Sequence, residues 1–129
     1  MSKSRKWIIT GSVFGFLGVA IGALGAHALK PMLNPETSET FRTGVFYHIV
    51  HSLAILAIGL SSREYLLKAC RFFLAGIILF SFSLYPYSLT HIKFLAMITP
   101  FGGVAFLIGW LTVIVAEVKN KGQNGPSGI

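Results

Sequence analysis

Long stretches without any Lys, Arg, Asp or Glu divide this chain. They cover residues 7–29, 43–62, 72–92 and 94–116, with lengths of 23, 20, 21 and 23 residues. An α-helix needs about 20 apolar residues to cross the hydrocarbon core of a bilayer. Backbone groups in lipid need partners within the protein, and the alternating segments of a β-barrel do not occur here. The pattern therefore predicts an all-α integral membrane protein whose four transmembrane helices pack as an antiparallel bundle.

Local signals place the ends of these helices within a single membrane domain of residues 1–118. The predicted bounds are about 7–29, 35–61, 70–90 and 93–117. Asn34 followed by Pro35 forms an N-cap and first-turn pair, so the second helix is expected to begin outside the hydrocarbon. Residues 119–129 are rich in Gly, Asn, Ser and Pro. We predict that they form a flexible polar tail.

Basic residues near the ends of the four stretches predict the orientation of the bundle. The side that holds both termini carries eight of them, and the other side carries three. The eight are Lys3, Arg5, Lys6, Arg63, Lys68, Arg71, Lys119 and Lys121; the three are Lys30, Arg42 and Lys93. Because cytoplasmic loops carry the excess of Lys and Arg, both termini are expected in the cytoplasm. Trp7 and Trp110 then fall toward the cytoplasmic ends of their helices, as in an aromatic belt.

The first apolar stretch has some features of a signal peptide. Lys3, Arg5 and Lys6 precede it, and Ala26-His27-Ala28 has the small-x-small form of a cleavage site. The apolar region of a signal peptide is about 7–15 residues long, which is shorter than this stretch. We therefore expect the first helix to be retained.

Composition agrees with a membrane protein. Charged residues make up 12% of the 129 residues, mean hydropathy is +0.71, and the net charge is +7. A typical soluble domain is about 25% charged. The basic residues are too sparse for a nucleic-acid surface, so we expect the lipid bilayer, and no nucleic acid, as a partner. The single cysteine, Cys70, excludes an intrachain disulfide.

Glycines in two helices are candidates for close helix packing. The first helix carries them at a spacing of 4, 3, 4 and 3, on one face: Gly11, Gly15, Gly18, Gly22 and Gly25. Small residues let helix backbones approach closely in lipid. The partner is either another helix of the same chain, which we favour, or a second copy. In the fourth helix, Pro100, Gly102 and Gly103 are expected to form a kink or to admit a neighbour.

The topology places all four histidines toward the outer side. His27 ends the first helix, His48 and His51 share a face of the second, and His91 lies near the third turn. Tyr47 and Tyr85 fall at the same level, so these six residues form the candidate polar or binding site. Ionisable groups inside a membrane are functional candidates by default, and imidazole can bind metal or transfer protons. The alternative is that they are neutral histidines that bond to helix ends and hydroxyls. No metal or other cofactor is predicted.

Three segments resemble a known family. They read "GALGAHAL", "FRTGVFYHIVHSLAIL" and "LFSFSLYPYSLTHIKFLAMITPFGGVAFLIGW", and the resemblance extends from about Trp7 to Ala116. Together they are similar to the YgdD-like family of small bacterial membrane proteins. The resemblance implies a four-helix protein of the bacterial inner (plasma) membrane without an established activity. His27, His51 and His91 match histidines of the family motifs, whereas His48 has the weakest support from the family.

The function predicted from the sequence is therefore broad. The chain lacks aspartate, so no Ser-His-Asp triad is possible, and no catalytic residues are proposed. A structural or accessory role in a membrane process is the leading hypothesis, with a membrane protein partner or a homo-oligomer. One alternative is a small transporter or channel that uses the outer-leaflet histidines. A second alternative is a membrane protein that binds metal or haem.

Overall fold

The computed structural model describes residues 1–124, and this part of the chain is helical without strands. The helices are α1 (Lys3–Ala26), α2 (Pro35–Leu60), α3 (Leu67–Gly76), α4 (Phe82–Thr90) and α5 (Lys93–Asn124). A π-helix, Ile77–Ser81, joins α3 to α4, and short 3-10 turns cover Lys30–Met32 and Glu64–Leu66. Four segments are long and apolar enough to cross a membrane, and Glu64–Thr90 is the third transmembrane segment. The predicted all-α class with four transmembrane helices is confirmed.

Side-chain caps begin the first two helices. The Ser2 hydroxyl accepts a hydrogen bond from the Arg5 amide at 3.1 Å, so α1 starts before the predicted residue 7. At α2, the Asn34 side chain accepts from the Thr37 amide at 2.9 Å, and the Thr37 hydroxyl accepts from the Asn34 amide at 3.0 Å. This reciprocal capping box satisfies two backbone donors that the first turn leaves free. It begins α2 at Pro35, the residue at which the sequence placed it.

The third transmembrane segment contains an irregularity that the sequence did not predict. The chain widens into a π-helix five to nine residues before Pro86, whose ring nitrogen has no hydrogen to donate to the preceding turn. Hydroxyl groups supply hydrogen bonds here in place of water. The Ser83 hydroxyl donates to the carbonyls of Leu79 and Phe80 at 2.7 and 2.9 Å. The Ser81 hydroxyl donates to the Gly44 carbonyl at 2.7 Å, which joins this segment to α2.

The helices pack in chain order. α1 lies against α2, α2 against the third transmembrane segment, and that segment against α5. Phe73, Ile55 and Ile77 are fully buried at the centre, whereas α1 buries only Gly11 and Gly18. We call the face with the N-terminus, the turn at 61–63 and the end of α5 the terminal face. The other face, which holds residues 27–34 and 91–92, is the opposite face.

The last helix extends into the region predicted to be a flexible tail. α5 continues through Asn124 rather than ending near 117, and residues 125–129 lie outside the described part. Polar contacts join this end of α5 to the start of the third transmembrane segment and the turn before it. Glu117 pairs with the Arg63 guanidinium and accepts from the Tyr65 hydroxyl at 2.8 Å. Asn120 donates to the same hydroxyl at 3.1 Å.

Candidate functional site

The His51 side chain joins α2 to α5. The Trp110 indole N–H donates to His51 Nε2 at 3.0 Å. Because Nε2 accepts, the neutral ring carries its proton on Nδ1, which donates to the Tyr47 carbonyl at 2.7 Å. The imidazole also stacks on Phe106, with ring centroids 3.7 Å apart and an interplanar angle of 12°. Both ring nitrogens are therefore used inside the protein.

The His48 side chain joins α2 to α4. His48 is fully buried, and its Nδ1 lies 2.8 Å from the Tyr85 hydroxyl. The rings of His48 and Phe82 are nearly perpendicular, with centroids 5.3 Å apart. Nε2 of His48 is the one buried side-chain polar atom in the described part of the chain that lacks a hydrogen-bonding partner. We call His48, His51, Tyr47, Tyr85, Phe106 and Trp110 the histidine–aromatic layer.

His48 lies at the level of the centres of two charge-free stretches. Gly18 and Phe82 are the central residues of the charge-free stretches 7–29 and 72–92, and both pack against His48. His51 lies three residues nearer the terminal face, which is about 4.5 Å along the helix axis. The sequence predicts both histidines in the outer half of the bilayer, and their depth in the bilayer stays a prediction.

Two of the candidate residues lie elsewhere. His27 caps the C-terminal end of α1 and is exposed. It lies nine residues beyond Gly18, about 13 Å along the helix axis from the level of His48. His91 is also exposed and ends α4 in the left-handed conformation, with φ of 59°. The structure brings together His48, His51, Tyr47 and Tyr85, and it leaves His27 and His91 at the opposite face.

Trp110 is the functional candidate that sequence reasoning missed. The sequence pattern suggests an aromatic-belt residue, but the indole N–H donates to His51 within the bundle. The available signal was the polar N–H inside a charge-free stretch, because such a donor needs an acceptor from the protein where lipid supplies none. Which acceptor it finds depends on tertiary packing.

The glycine face of α1 contacts α2 of the same chain. A Cβ atom added at Gly11 would lie 2.8 Å from the Leu56 amide nitrogen, and one at Gly18 would lie 2.8 Å from Ile49 Cγ1. Gly22 and Gly25 meet Val45 and Phe41 in the same way. Gly15 is different, because its Cβ would be 4.0 Å from the nearest neighbouring atom, Ser52 Cβ. The backbones of α1 and α2 approach most closely at Gly11.

The two glycines of α5 have different surroundings. A Cβ atom at Gly102 would collide with the backbone of Phe80, so Gly102 lets α5 approach the π-helix. A Cβ atom at Gly103 would have no neighbour within 4 Å. Gly103 therefore packs against no helix within residues 1–124, contrary to the packing role predicted for it. The neighbouring segment contacts the face of α5 that carries Gly102.

The donor set of the layer gives little support for a bound metal. His51 uses both ring nitrogens, and His48 uses Nδ1 for Tyr85. Within residues 1–124, no three His, Cys, Asp or Glu side chains come close enough to share an ion. The arrangement of the layer is that of a hydrogen-bonded connection between helices.

Four apolar helices of membrane length, joined by hydrogen bonds from the buried His48 and His51 side chains, define a small polytopic α-helical membrane protein. Comparison with known proteins gives the family. Residues 21–103 match the family model described as "Protein of unknown function (DUF423)". The chain belongs to this family, whose curated relatives carry the name UPF0382. The resemblance found in the sequence motifs is confirmed.

The relatives are membrane proteins of similar length. The chain is 43% identical to the UPF0382 membrane protein YwdK of Bacillus subtilis over 120 residues, which are 89% of this chain and 98% of the relative. It is 35% identical to the UPF0382 inner membrane protein YgdD of Escherichia coli K12, with 92% and 93% covered. A UPF0382 membrane protein of Staphylococcus aureus is 40% identical, with 92% and 99% covered. No solved structure matches the chain.

Proposed function

We propose that this chain is a structural or accessory protein of the bacterial inner membrane, with both termini in the cytoplasm, that acts with a partner membrane protein. The observation that carries the proposal is the hydrogen bonding of His51. Its two ring nitrogens connect Tyr47 of α2 to Trp110 of α5. A group that handles a solute must exchange partners, whereas this imidazole is committed to holding two helices together. The layer therefore favours a rigid helix bundle, in which α1 and α5 present fixed surfaces to a partner.

The outer helices offer extended apolar surfaces to a partner. On α1, Val13, Phe16 and Val19 are exposed, and the Phe16 side chain retains 73% of its accessible surface. On α5, Phe101 and Leu107 each retain 69%. In a bilayer these surfaces contact lipid tails or another transmembrane helix. Dispersion contacts with a second helix are the usual source of such association.

In-membrane photo-crosslinking tests the partner. A photoreactive phenylalanine analogue replaces Phe16 on α1 or Phe101 on α5, and Phe46, an exposed residue of α2, serves as the matched control. We expect one discrete adduct from α1 or α5, absent at Phe46, with a protein that also co-purifies with the unmodified chain in mild detergent. Crosslinks to a differently tagged copy alone would contradict the accessory role. Transport activity of the purified chain by itself in liposomes would also contradict it.

A small transporter or channel is the second candidate, and His48 Nε2 is the observation that favours it. This atom is buried without a hydrogen-bonding partner in the described part of the chain, which is the situation of a group that binds water or a small polar solute. Proteoliposomes that contain a pH-sensitive dye test it, with the His48→Phe variant as control. A proton or solute flux that the substitution abolishes would establish this candidate, and equal fluxes would exclude it. The geometry gives the metal or haem alternative no comparable observation.

A further inference from the structure

A basic cleft opens between α1 and the third transmembrane segment at the terminal face. Its volume is about 600 Å³. Both segments start at this face and run in the same direction, so their first turns lie side by side. Each contributes two basic residues three positions apart, which places each pair on one side of its helix. These four residues are Lys3 and Lys6 of α1, and Lys68 and Arg71 of α3.

The cleft carries an uncompensated positive charge. Glu64 is the one carboxylate in its lining. The ion pair found in the described part of the chain joins Arg63 to Glu117, so it neutralises none of the four cleft cations. Neither α1 nor α3 has an acidic residue in its first turn, and the positive ends of both helix dipoles point toward the same region. An anion in the cleft would lower the electrostatic energy of all these groups.

The depth of the cleft identifies the kind of anion. Lys6 and Arg71 are the last charged residues before the stretches 7–29 and 72–92, so they lie at the boundary between headgroups and hydrocarbon. Below them the wall continues with the half-buried side chains of Trp7 and Leu74. A ligand that fills this space needs a charged group at the top and an apolar chain beneath it. Basic pockets between transmembrane helices are known to bind acidic phospholipid headgroups in this way.

We propose that the basic cleft binds an anionic glycerophospholipid with two phosphate groups, its phosphates between Lys3, Lys6, Lys68 and Arg71 and an acyl chain along Trp7 and Leu74. Four cations and one carboxylate leave a charge of about +3, which two phosphates neutralise better than one. Arg71 can bond a phosphate in a bidentate manner, and the lysines act as point charges. Binding at this cleft requires neither a partner protein nor any activity of the histidine–aromatic layer.

Native mass spectrometry of the full chain tests the proposal. The probes are cardiolipin with two phosphates, phosphatidylglycerol with one, and zwitterionic phosphatidylethanolamine, each added to protein stripped of lipid. We expect cardiolipin to be retained most strongly. The double substitution Lys68→Gln and Arg71→Gln should lower its retention roughly 10- to 30-fold, because each basic residue near a membrane surface contributes about one factor of five to anionic lipid binding.

A matched control removes two cations from the opposite face, where Lys30 and Arg42 line a separate groove. Lys30→Gln with Arg42→Gln should leave cardiolipin retention unchanged, and Lys68→Arg with Arg71→Lys should largely preserve it. Equal retention of phosphatidylethanolamine, or equal loss in the opposite-face control, would overturn the proposal. Phosphatidylglycerol retained as strongly as cardiolipin would overturn the two-phosphate assignment. Displacement of the lipid by inorganic pyrophosphate at equal concentration would show a site for free anions instead.

Discussion

At the scale of single residues, the contact between Trp110 and His51 is the connection that most clearly orders the interior. An indole donor and an imidazole acceptor meet at 3.0 Å. Phe106 stacks on His51, and Phe73 packs against both rings, centred 5.4 Å from His51 and 4.9 Å from Trp110. Hydrogen bonding fixes the tautomer of His51, and stacking fixes its plane.

Trp110→Phe should destabilise the protein by about 0.5–2 kcal/mol, because it removes the donor and leaves His51 Nε2 without a partner. The free energy of unfolding in mixed detergent micelles measures the effect. Trp7→Phe is the matched control, since Trp7 packs against the core from α1 at the edge of the bundle. An equal loss in both variants would show that the size of the side chain matters and the hydrogen bond does not.

At the scale of elements, α1 and α2 approach closely because glycines replace side chains along their contact. Gly11 faces the backbone of α2, where an added Cβ atom would lie 3.0 Å from the Ser52 carbonyl oxygen. Backbone atoms cannot move aside as a flexible side chain can. Gly15, one turn along the same face, has room for a methyl group.

Gly11→Ala should therefore destabilise the protein by about 1–3 kcal/mol, because the two helices must separate to admit the methyl group. Gly15→Ala should be neutral or slightly stabilising, since alanine is the better helix former. Thermal unfolding in a mild detergent compares the two variants. If both alanines are tolerated equally, the close approach at Gly11 is not required for stability.

The end of α5 depends on a second connection between elements. Glu117, Tyr65, Arg63 and Asn120 form a hydrogen-bonded cluster at the terminal face. The hydrogen bond from Arg63 to Glu117 raises the pKa of the guanidinium above its usual value. Exposed ion pairs contribute little to global stability, so the expected role of this cluster is local.

Glu117→Gln should increase hydrogen exchange of the backbone amides at 118–124 while leaving the apolar part of α5 protected. The substitution removes the charge that attracts Arg63 and weakens the acceptor for Tyr65. Mass spectrometry after exchange in detergent measures it, and Glu64→Gln, a neutralised carboxylate on the same face, is the control. Unchanged exchange at 118–124 would indicate that α5 retains its end without the cluster.

At the scale of the whole molecule, the distribution of basic residues predicts which face meets the cytoplasm. The terminal face carries eight Lys and Arg residues near the membrane ends, and the opposite face carries three. The four cations of the basic cleft belong to the eight. The four cations of the basic cleft therefore contribute both to the predicted orientation of the protein and to the proposed lipid site.

A C-terminal fusion to green fluorescent protein should fluoresce, and one to alkaline phosphatase should be inactive, because both report a cytoplasmic terminus. A phosphatase inserted in the first connection, between Ala28 and Lys30, should be active. These paired fusions measure orientation in intact cells. Active phosphatase at the C-terminus, with no activity in the first connection, would place the terminal face outside.

The sequence was a good guide to the fold, because each transmembrane helix is coded locally. Loss of charge over about 20 residues predicts a span wherever it occurs, and Asn34-Pro35 marks a helix start through its own cap. The ends of α1, α3 and α5 were less predictable. The end of α5 contacts Tyr65 and Arg63, which are more than 50 residues away in the chain.

The candidate site was only partly predictable for the same reason. Four of the six predicted residues, His48, His51, Tyr47 and Tyr85, come together, whereas His27 and His91 remain at the surface. The topology predicts one side of the membrane for all four histidines, but contact between side chains also requires matching depth and facing direction. These depend on the register of α2 against α1 and α5.

By itself, the sequence determined the membrane class, the number of helices and the glycine face of α1, because each depends on the composition or spacing of a continuous segment. Only the tertiary structure decided that Trp110 is the partner of His51. It also decided that a Cβ atom at Gly11 would meet the backbone of α2 while one at Gly103 would meet no neighbour, and that four basic residues line one cleft. These facts depend on distances between segments far apart in the chain. Helix packing fixes such distances, and no single helix carries the information.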